Sequence, residues 1–323
     1  MIVVTGGAGC IGSAIVWALN KRGITDIILV DATDHPEKEK NIASLDYFAL
    51  ENKDVFLNYI TSLNMPWTVD AIIHMGGCSS TIERDETFLM ENNFNYTKHL
   101  ATYALNKDIR FIYASSAATY GAGENGFSDE VDLKTLTPLN LYGQSKHKFD
   151  LWAQEQGALD RIVGLKYFHV FGPSEYHKKE MQSMVRRGFL QVLDSGRIRL
   201  FKSYDPGYAD GEQERDFLYV KDAVEMTLFF LNNLEVGGIF NAGTGVARSW
   251  NDLATTVFKA MGRKPEVEYI DMPDSFRNQF QSRTCAKIDK IRSVGYTQPI
   301  ASLEEATVDY IQNYLLPNKH LGQ

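Results

Sequence analysis

Short apolar runs alternating with helix-period segments, a glycine-spaced turn between the first two runs, and a weakening of the alternation after residue 168 predict an α/β chain. The expected architecture is a Rossmann-type doubly wound parallel sheet joined to a smaller α/β domain. The runs are Ile2 to Val4, Ile27 to Val30, Ala71 to Ile73, Phe111 to Ala114 and Ile162 to Leu165. Unbroken apolar stretches of this length suit parallel strands buried on both faces. Between the first two, Ile11, Ala14, Ile15, Ala18 and Leu19 recur at helical spacing and Gly23 provides a C-terminal stop. Past residue 168, a polar stretch through Lys178-Lys179-Glu180 precedes a helix-like segment and the Gly/Asp-rich run from Tyr204 to Glu214, where the smaller domain begins. Val236 to Gly243 reads as a strand with its turn, returning the chain to the sheet, and His35 to Lys40 reads as a solvated loop.

The 323 residues, 44% of them hydrophobic, suffice for a full core. A net charge of -8 without a basic stripe argues against a nucleic-acid surface, so any anion must be held locally. Cys10, Cys78 and Cys285 lack metal-type spacing and fit reduced thiols of a cytoplasmic protein, and no cluster suggests a metal. No apolar run approaches the roughly 18 residues that span a bilayer.

Gly6, Gly9 and Gly12 stand where a turn must be tight, where backbone must approach a pyrophosphate, and where a helix must pack on a strand. The helix that follows offers unpaired N–H groups and a partial positive charge to phosphates. Asp31 closes the second strand, where a carboxylate would accept hydrogen bonds from an adenosine ribose, which favours NAD. Lys38 and Lys53 read as solvated surface lysines, but either would suit the 2′-phosphate of NADP, so the residues leave the cofactor open.

Tyr142 and Lys146 lie four apart, hence on one helix face. A phenol with a pKa near 10 can serve as a base at neutral pH only where positive charge favours the phenolate, and Lys146 is expected to supply it. Ser116, at the end of its strand, is placed to exchange a hydrogen bond with the same substrate hydroxyl. This combination points to redox chemistry on an alcohol.

With Thr5-Gly6-Gly7-Ala8-Gly9-Cys10-Ile11-Gly12, Ser116 and Tyr142-x-x-x-Lys146, the chain resembles an extended short-chain dehydrogenase/reductase from end to end, including Arg215-Asp216-Phe217-Leu218-Tyr219-Val220-Lys221-Asp222. The resemblance implies a bound nicotinamide cofactor, a nucleotide-sugar substrate and a homo-oligomer. It implies a cofactor domain of residues 1–168 plus 216–247 and a substrate-binding domain of 169–215 plus 248–323. Cys10, Ile11, Ala32, Met75-Gly76-Gly77-Cys78-Ser79, Asn92 and Val170 would join the glycines at the cofactor. Dehydratases of the family carry Asp-Glu after the strand-end hydroxyl residue; here those positions are Ala117-Ala118, which favours epimerisation.

The stretch Tyr167-Phe168-His169-Val170-Phe171-Gly172-Pro173, continued by Glu175, His177, Lys178, Met181 and Ser183, is similar to the ADP-L-glycero-D-manno-heptose 6-epimerase family, as are His74 to Thr81 and Tyr113 to Gly121. That resemblance implies NADP and transient oxidation at C6, with Tyr142 and Lys178 as two proton carriers. From the residues alone, Lys178 would instead bind diphosphate or face solvent. His169, Glu180, Arg187, Phe201, Lys202, Ser203, Tyr204, Arg215 and Phe280 fall at the implied substrate contacts, with Arg215 a phosphate clamp. This chain departs from the family at His169, where Asn is usual, at Glu180, at Arg187 and at Phe280, which leaves a UDP- or GDP-sugar epimerase as the alternative. A cofactor-sensing protein without catalysis is disfavoured by the intact Ser116, Tyr142 and Lys146.

Overall fold

A computed structural model of the chain describes residues 1–32, 35–273, 277 and 281–323. β1 (Ile2–Thr5) leads through the glycine turn into α1 (Cys10–Lys21), β2 (Ile27–Asp31), α2 (Pro36–Ile42), β3 (Ala49–Asn52), α3 (Lys53–Thr61) and β4 (Ala71–His74). α4 (Glu86–Leu89) continues through a π-helical segment, Met90–Asn95, into α5 (Tyr96–Lys107), followed by β5 (Arg110–Ser116), α6 (Leu141–Glu155) and β6 (Ile162–Tyr167). The remainder comprises β7 (His169–Phe171), α7 (Met184–Ser195), β8 (Ile198–Phe201), β9 (Glu214–Tyr219), α8 (Val220–Asn232), β10 (Gly238–Ala242), β11 (Ala247–Ser249), α9 (Trp250–Ala260), β12 (Val267–Ile270), α10 (Asp289–Ser293) and α11 (Leu303–Tyr310).

Among the described residues the main sheet has seven strands in the order β10-β6-β5-β4-β1-β2-β3, every pair parallel. Strand order reverses between β1 and β4, and a crevice at such a reversal is where open α/β sheets bind ligands. Alternate strand residues serve opposite faces. Val4, Leu29 and Ile73 pack with α1 in a core that continues to Val185 and Phe189 of α7 and Val257 of α9. Val3, Ile28, Ile72 and Phe111 pack with Phe56 of α3, Leu100 of α5 and Phe149 of α6. Because the first of these cores runs unbroken into the smaller lobe, that lobe is anchored to the sheet rather than tethered beside it. Outside the main sheet, the described residues form the sheet β11-β9-β7 and the pair β12-β8.

One expectation from the sequence needs correction, and one strand has no counterpart in it. His35 to Lys40 is a helix start, not a loop: Pro36 occupies its first turn, and the His35 ring accepts the Glu37 N–H at 3.1 Å. Proline's fixed φ suits this position. β3 lacks the two-sided apolar pattern because it forms the sheet edge, where Leu50 remains exposed. Among the described residues no helix is long and apolar enough to cross a membrane.

Behind the end of β5, Asp150 of α6 and Lys166 of β6 form a fully buried ion pair at 2.6 Å. Asp150 also accepts from Tyr113 at 2.9 Å and Ser115 at 2.8 Å, while Lys166 also donates to Thr119 at 2.6 Å. The pair bolts α6 to β5 and β6. Replacing Lys166→Met strands the Asp150 charge and is expected to cost about 3–5 kcal/mol of stability in a urea titration, the penalty typical of breaking a buried pair from one side.

Candidate active site

Gly6 turns the chain at φ +65°, and its N–H donates to the Val30 carbonyl at 2.8 Å. A Cβ on Gly6 would lie 2.7 Å from the Gly76 nitrogen, and one on Gly12 would lie 2.0 Å from the Gly6 carbonyl oxygen. Both contacts are impossible for a larger residue, so β1, α1 and the β4 loop close together only through these glycines. α1 starts at Gly9 with neither a side-chain cap nor an acidic residue in its first turn, leaving its partial positive charge available to an anion.

Asp31 accepts the Ala8 N–H at 2.9 Å, the Ala32 N–H at 2.7 Å and the Lys38 ammonium at 3.0 Å; Lys38 also donates to the Ala32 carbonyl at 3.1 Å. Lys38 is thus not a solvated surface lysine: the newly formed α2 brings it back to the end of β2. Lys53 likewise donates to Asn92 at 2.9 Å, which joins two residues predicted separately. Beside them, Asn93 is buried and was not anticipated. It accepts the Cys78 N–H at 2.8 Å and donates to the Cys78 carbonyl and the Ser145 hydroxyl, each at 3.0 Å. Asn93 therefore holds the 75–79 loop against α6. Met75 and Gly76 are hydrogen-bonded to Thr5, and Ile11, Met75 and Val170 flank the same buried cluster at the sheet end. Ser79 lies in this loop, exposed. His74, bonded to Thr5 and Thr97, is held neutral by burial, which lowers its pKa to about 3; it braces strands and is not placed to act on a ligand.

Ser116 ends β5 and caps the next turn by accepting the Ala118 N–H at 3.1 Å. Asn140 caps α6 through the Gly143 N–H at 2.8 Å, and a Cβ on Gly143 would lie 2.8 Å from the Ala118 carbonyl. This close approach puts the first turn of α6 beside the end of β5, so Tyr142 meets Ser116. Burial raises the Tyr142 pKa, while its hydrogen bond with Ser116 opposes the rise. The expected lowering by Lys146 is not seen. Lys146 instead donates to the Ala114 carbonyl at 2.9 Å, and burial lowers its own pKa to about 8 against the opposing pull of Asp150. Its ammonium would lie 3.6 Å from a Cβ on Gly77, so the 75–79 loop and the Tyr-Lys helix share one crevice. At the dehydratase positions, Ala117 is buried and Ala118 half-buried, which leaves no acid or base there.

Lys178 stands in a short turn before α7, half-buried and within electrostatic reach of the Cys10 thiol at the start of α1. Glu180 and Arg187 are exposed. Across the smaller lobe, the His169 ring contacts Phe217 and Trp250 edge-on, and the Arg215 guanidinium lies 5.5 Å from the Trp250 ring. His169 has a solvent-open edge, yet the protein crowded around it, and then Arg215, lower its pKa. Arg215 is 3% exposed and donates to the Glu214 carbonyl at 2.7 Å; burial lowers its pKa to about 9. Phe201 ends β8 opposite Ile270, and Lys202 and Tyr204 both reach Asp271, at 3.2 and 3.3 Å. The Ser203 N–H is held by Asp210 at 2.7 Å. Phe280 lies outside the described residues.

The fold and crevice define a nucleotide-binding α/β enzyme scaffold with a Ser-Tyr-Lys group at a strand end. The chain belongs to the NAD dependent epimerase/dehydratase family, which matches residues 2–243. It is 50% identical over 316 residues, 98% of each chain, to ADP-L-glycero-D-manno-heptose-6-epimerase of Nitratidesulfovibrio vulgaris strain DP4. It is 47% identical, over 98% of each chain, to the protein of the same name from Fusobacterium nucleatum. The crystal structure of Helicobacter pylori ADP-L-glycero-D-manno-heptose-6-epimerase superposes with a TM-score of 0.81 at 27% identity, covering 97% of this chain and 95% of that one. UDP-N-acetylglucosamine 4-epimerase from Methanobrevibacter ruminantium, at 21% identity with 98% of each chain covered and a TM-score of 0.81, shares the fold.

The pKa of Lys146, about 8 when folded, lies below the roughly 10.4 of a free lysine. The unfolded chain therefore binds this proton more tightly, and the cost of the buried charge, fully present below about pH 8, fades as pH rises towards about 10. Lys146→Met is expected to raise stability at pH 7 by roughly 1–3 kcal/mol while abolishing function, and the gain should shrink at pH 9.5 in parallel urea titrations.

Proposed function

We propose that this protein interconverts the D-glycero and L-glycero epimers of ADP-glycero-manno-heptose by transient oxidation at C6 and return of hydride to the opposite face. The observation that carries this reading is 50% identity, across 98% of both chains, to a relative with that activity in its name. Ala117-Ala118 supports it by removing the groups a dehydration would require.

The glycine turn fits a dinucleotide: the side-chain-free approach of Gly12 to Gly6 and the uncapped start of α1 suit a pyrophosphate. Gly6, Gly9, Cys10, Ile11 and Gly12 would hold it, with the 75–79 loop and Val170 flanking. Asp31 already accepts three protein donors, and Lys38 and Lys53 stand at the adenosine end; these features favour NADP over NAD. When bound, the nicotinamide supplies the hydride acceptor for oxidation and the hydride donor for reduction.

Tyr142 takes the proton of one epimer's C6 hydroxyl as its hydride departs, with Ser116 bonded to the same oxygen. Burial keeps the phenol protonated in the ligand-free crevice, so phenolate formation would depend on the positive charge that a bound oxidised cofactor brings. Rotation about C5–C6 moves the oxygen to the side of Lys178, which supplies the proton as hydride returns. Arg215, supported on Trp250, clamps diphosphate oxygens, while His169 and the 201–204 segment line the nucleotide-sugar. Residues 1–168 plus 216–247 form the cofactor domain and 169–215 plus 248–323 the substrate domain of a cytoplasmic homo-oligomer. The UDP- or GDP-sugar alternative draws on His169 in its aromatic setting and on exposed Glu180.

Purified protein given the D-glycero epimer should yield the L-glycero epimer by NMR, and absence of product with cofactor in excess refutes the reading; faster turnover of a UDP-sugar supports the alternative. Mass spectrometry of co-purified cofactor should find NADP. Tyr142→Phe should slow single-turnover oxidation of one C6 epimer at least about tenfold more than the other, whereas equal losses reject two proton carriers.

A further inference from the structure

Asn41, on the last turn of α2, is fully buried and bonds three separate segments. Its Nδ2 donates to the Ala8 carbonyl of the glycine turn at 2.9 Å and to the Ser174 carbonyl at 3.0 Å, and lies 3.4 Å from the His177 ring. Its Oδ1 meets the His320 ring nitrogen at 2.9 Å. His320 is 4% exposed and packs edge-on against Tyr176, whose hydroxyl donates to the Lys319 carbonyl at 2.9 Å. One amide thus joins the cofactor turn, the segment just before Lys178 and the C-terminal segment.

The backbone around Lys178 requires such support. Ser174 has φ +71°, and Lys179 has φ +46° with ψ -117°. Neither is glycine, and conformations of this kind persist only where surrounding contacts over-determine them. On its far side, the turn is held by Glu175, a fully buried carboxylate that accepts the Ser183 N–H at 2.6 Å and the Ser183 hydroxyl at 2.7 Å. Asn41 holds the near side, through Ser174.

We propose that Asn41 is a positioning residue that couples the glycine turn to Lys178, with His320 locking the orientation of its amide. The proposal rests on the reading of Lys178 as a proton carrier. A turn that relaxes at Ser174 carries Lys178 away from its working place, whereas the Tyr142 side of the crevice, built on β5 and α6, is untouched.

The test is a double-mutant cycle in the full chain between Asn41→Ala and Lys178→Ala, read by kcat and KM for the nucleotide sugar. Asn41→Ala should lower kcat by about 10- to 100-fold with KM changed less than about threefold, the scale of loss when a reacting group is displaced by about an ångström. In the Lys178→Ala background it should have almost no further effect on kcat. Additive losses, or an unchanged kcat, overturn the proposal. If Lys178→Ala itself keeps full activity, the two-carrier mechanism fails and the proposal fails with it. Hydrogen exchange of the ligand-free protein gives a readout apart from turnover: amides of 174–183 should exchange about tenfold faster in Asn41→Ala, while those of β5 and α6 remain as before. Uniform acceleration would signify general destabilisation and reject a positioning role. Should Asn41→Ala not fold, His320→Ala enters the same cycle and must show the same lack of additivity with Lys178→Ala.

Discussion

The approach of Gly12 to the carbonyl of Gly6, closer than any Cβ allows, is the constraint on which the rest of the site depends. It draws the start of α1 against the end of β1. The turn so formed is then held by backbone and side-chain groups: Gly6 by the Val30 carbonyl, Ala8 by the Asp31 carboxylate and the Asn41 amide, and Thr5 by the Met75 N–H. Each of these partners leads to another part of the crevice. Through Asp31 the turn reaches Lys38, through Asn41 the Lys178 segment, and through Met75 the loop beside Lys146. The glycine turn and the segments that carry Lys38, Lys146 and Lys178 are therefore one construction.

Charge is handled in two ways around that frame. The buried pair Asp150 and Lys166 is further bonded to Tyr113, Ser115 and Thr119, and it fixes α6 to β6 and to β5, the strand that ends at Ser116. Lys146, one helical turn from Asp150, is buried with a carbonyl as its hydrogen-bond acceptor and is destabilised in its charged form. Such a buried charge weakens the folded state. Burial acts on Tyr142 too, and there it favours the neutral phenol.

Much of this arrangement could be read from residue order. The five apolar runs became β1, β2, β4, β5 and β6, and the returning segment near residue 240 became β10. The glycine spacing and the Tyr142/Lys146 face lie where expected. What was missed has a common cause. β3 is an edge strand without a two-sided apolar signature, and α2 is a short polar helix whose Lys38 faces inward to Asp31. Asn93 and Asp150 had a faint signal: the first adjoins a predicted site residue and the second lies four after Lys146, on the same helix face. Asn41 had none, because an asparagine in a charged segment resembles any surface residue until its partners are known.

The parallel sheet, the dinucleotide-type turn and the Ser-Tyr-Lys group are legible in residue order, because they follow from local properties: a missing Cβ, an apolar period and a helical repeat. Folding brings Lys38 onto Asp31, carries Asn41 across 133 residues to Ser174, and leaves Tyr142 and Lys146 shifted by burial rather than by each other. Hydrogen-bond partners distant in the chain, and the solvent they displace, are products of packing, and no spacing rule encodes them.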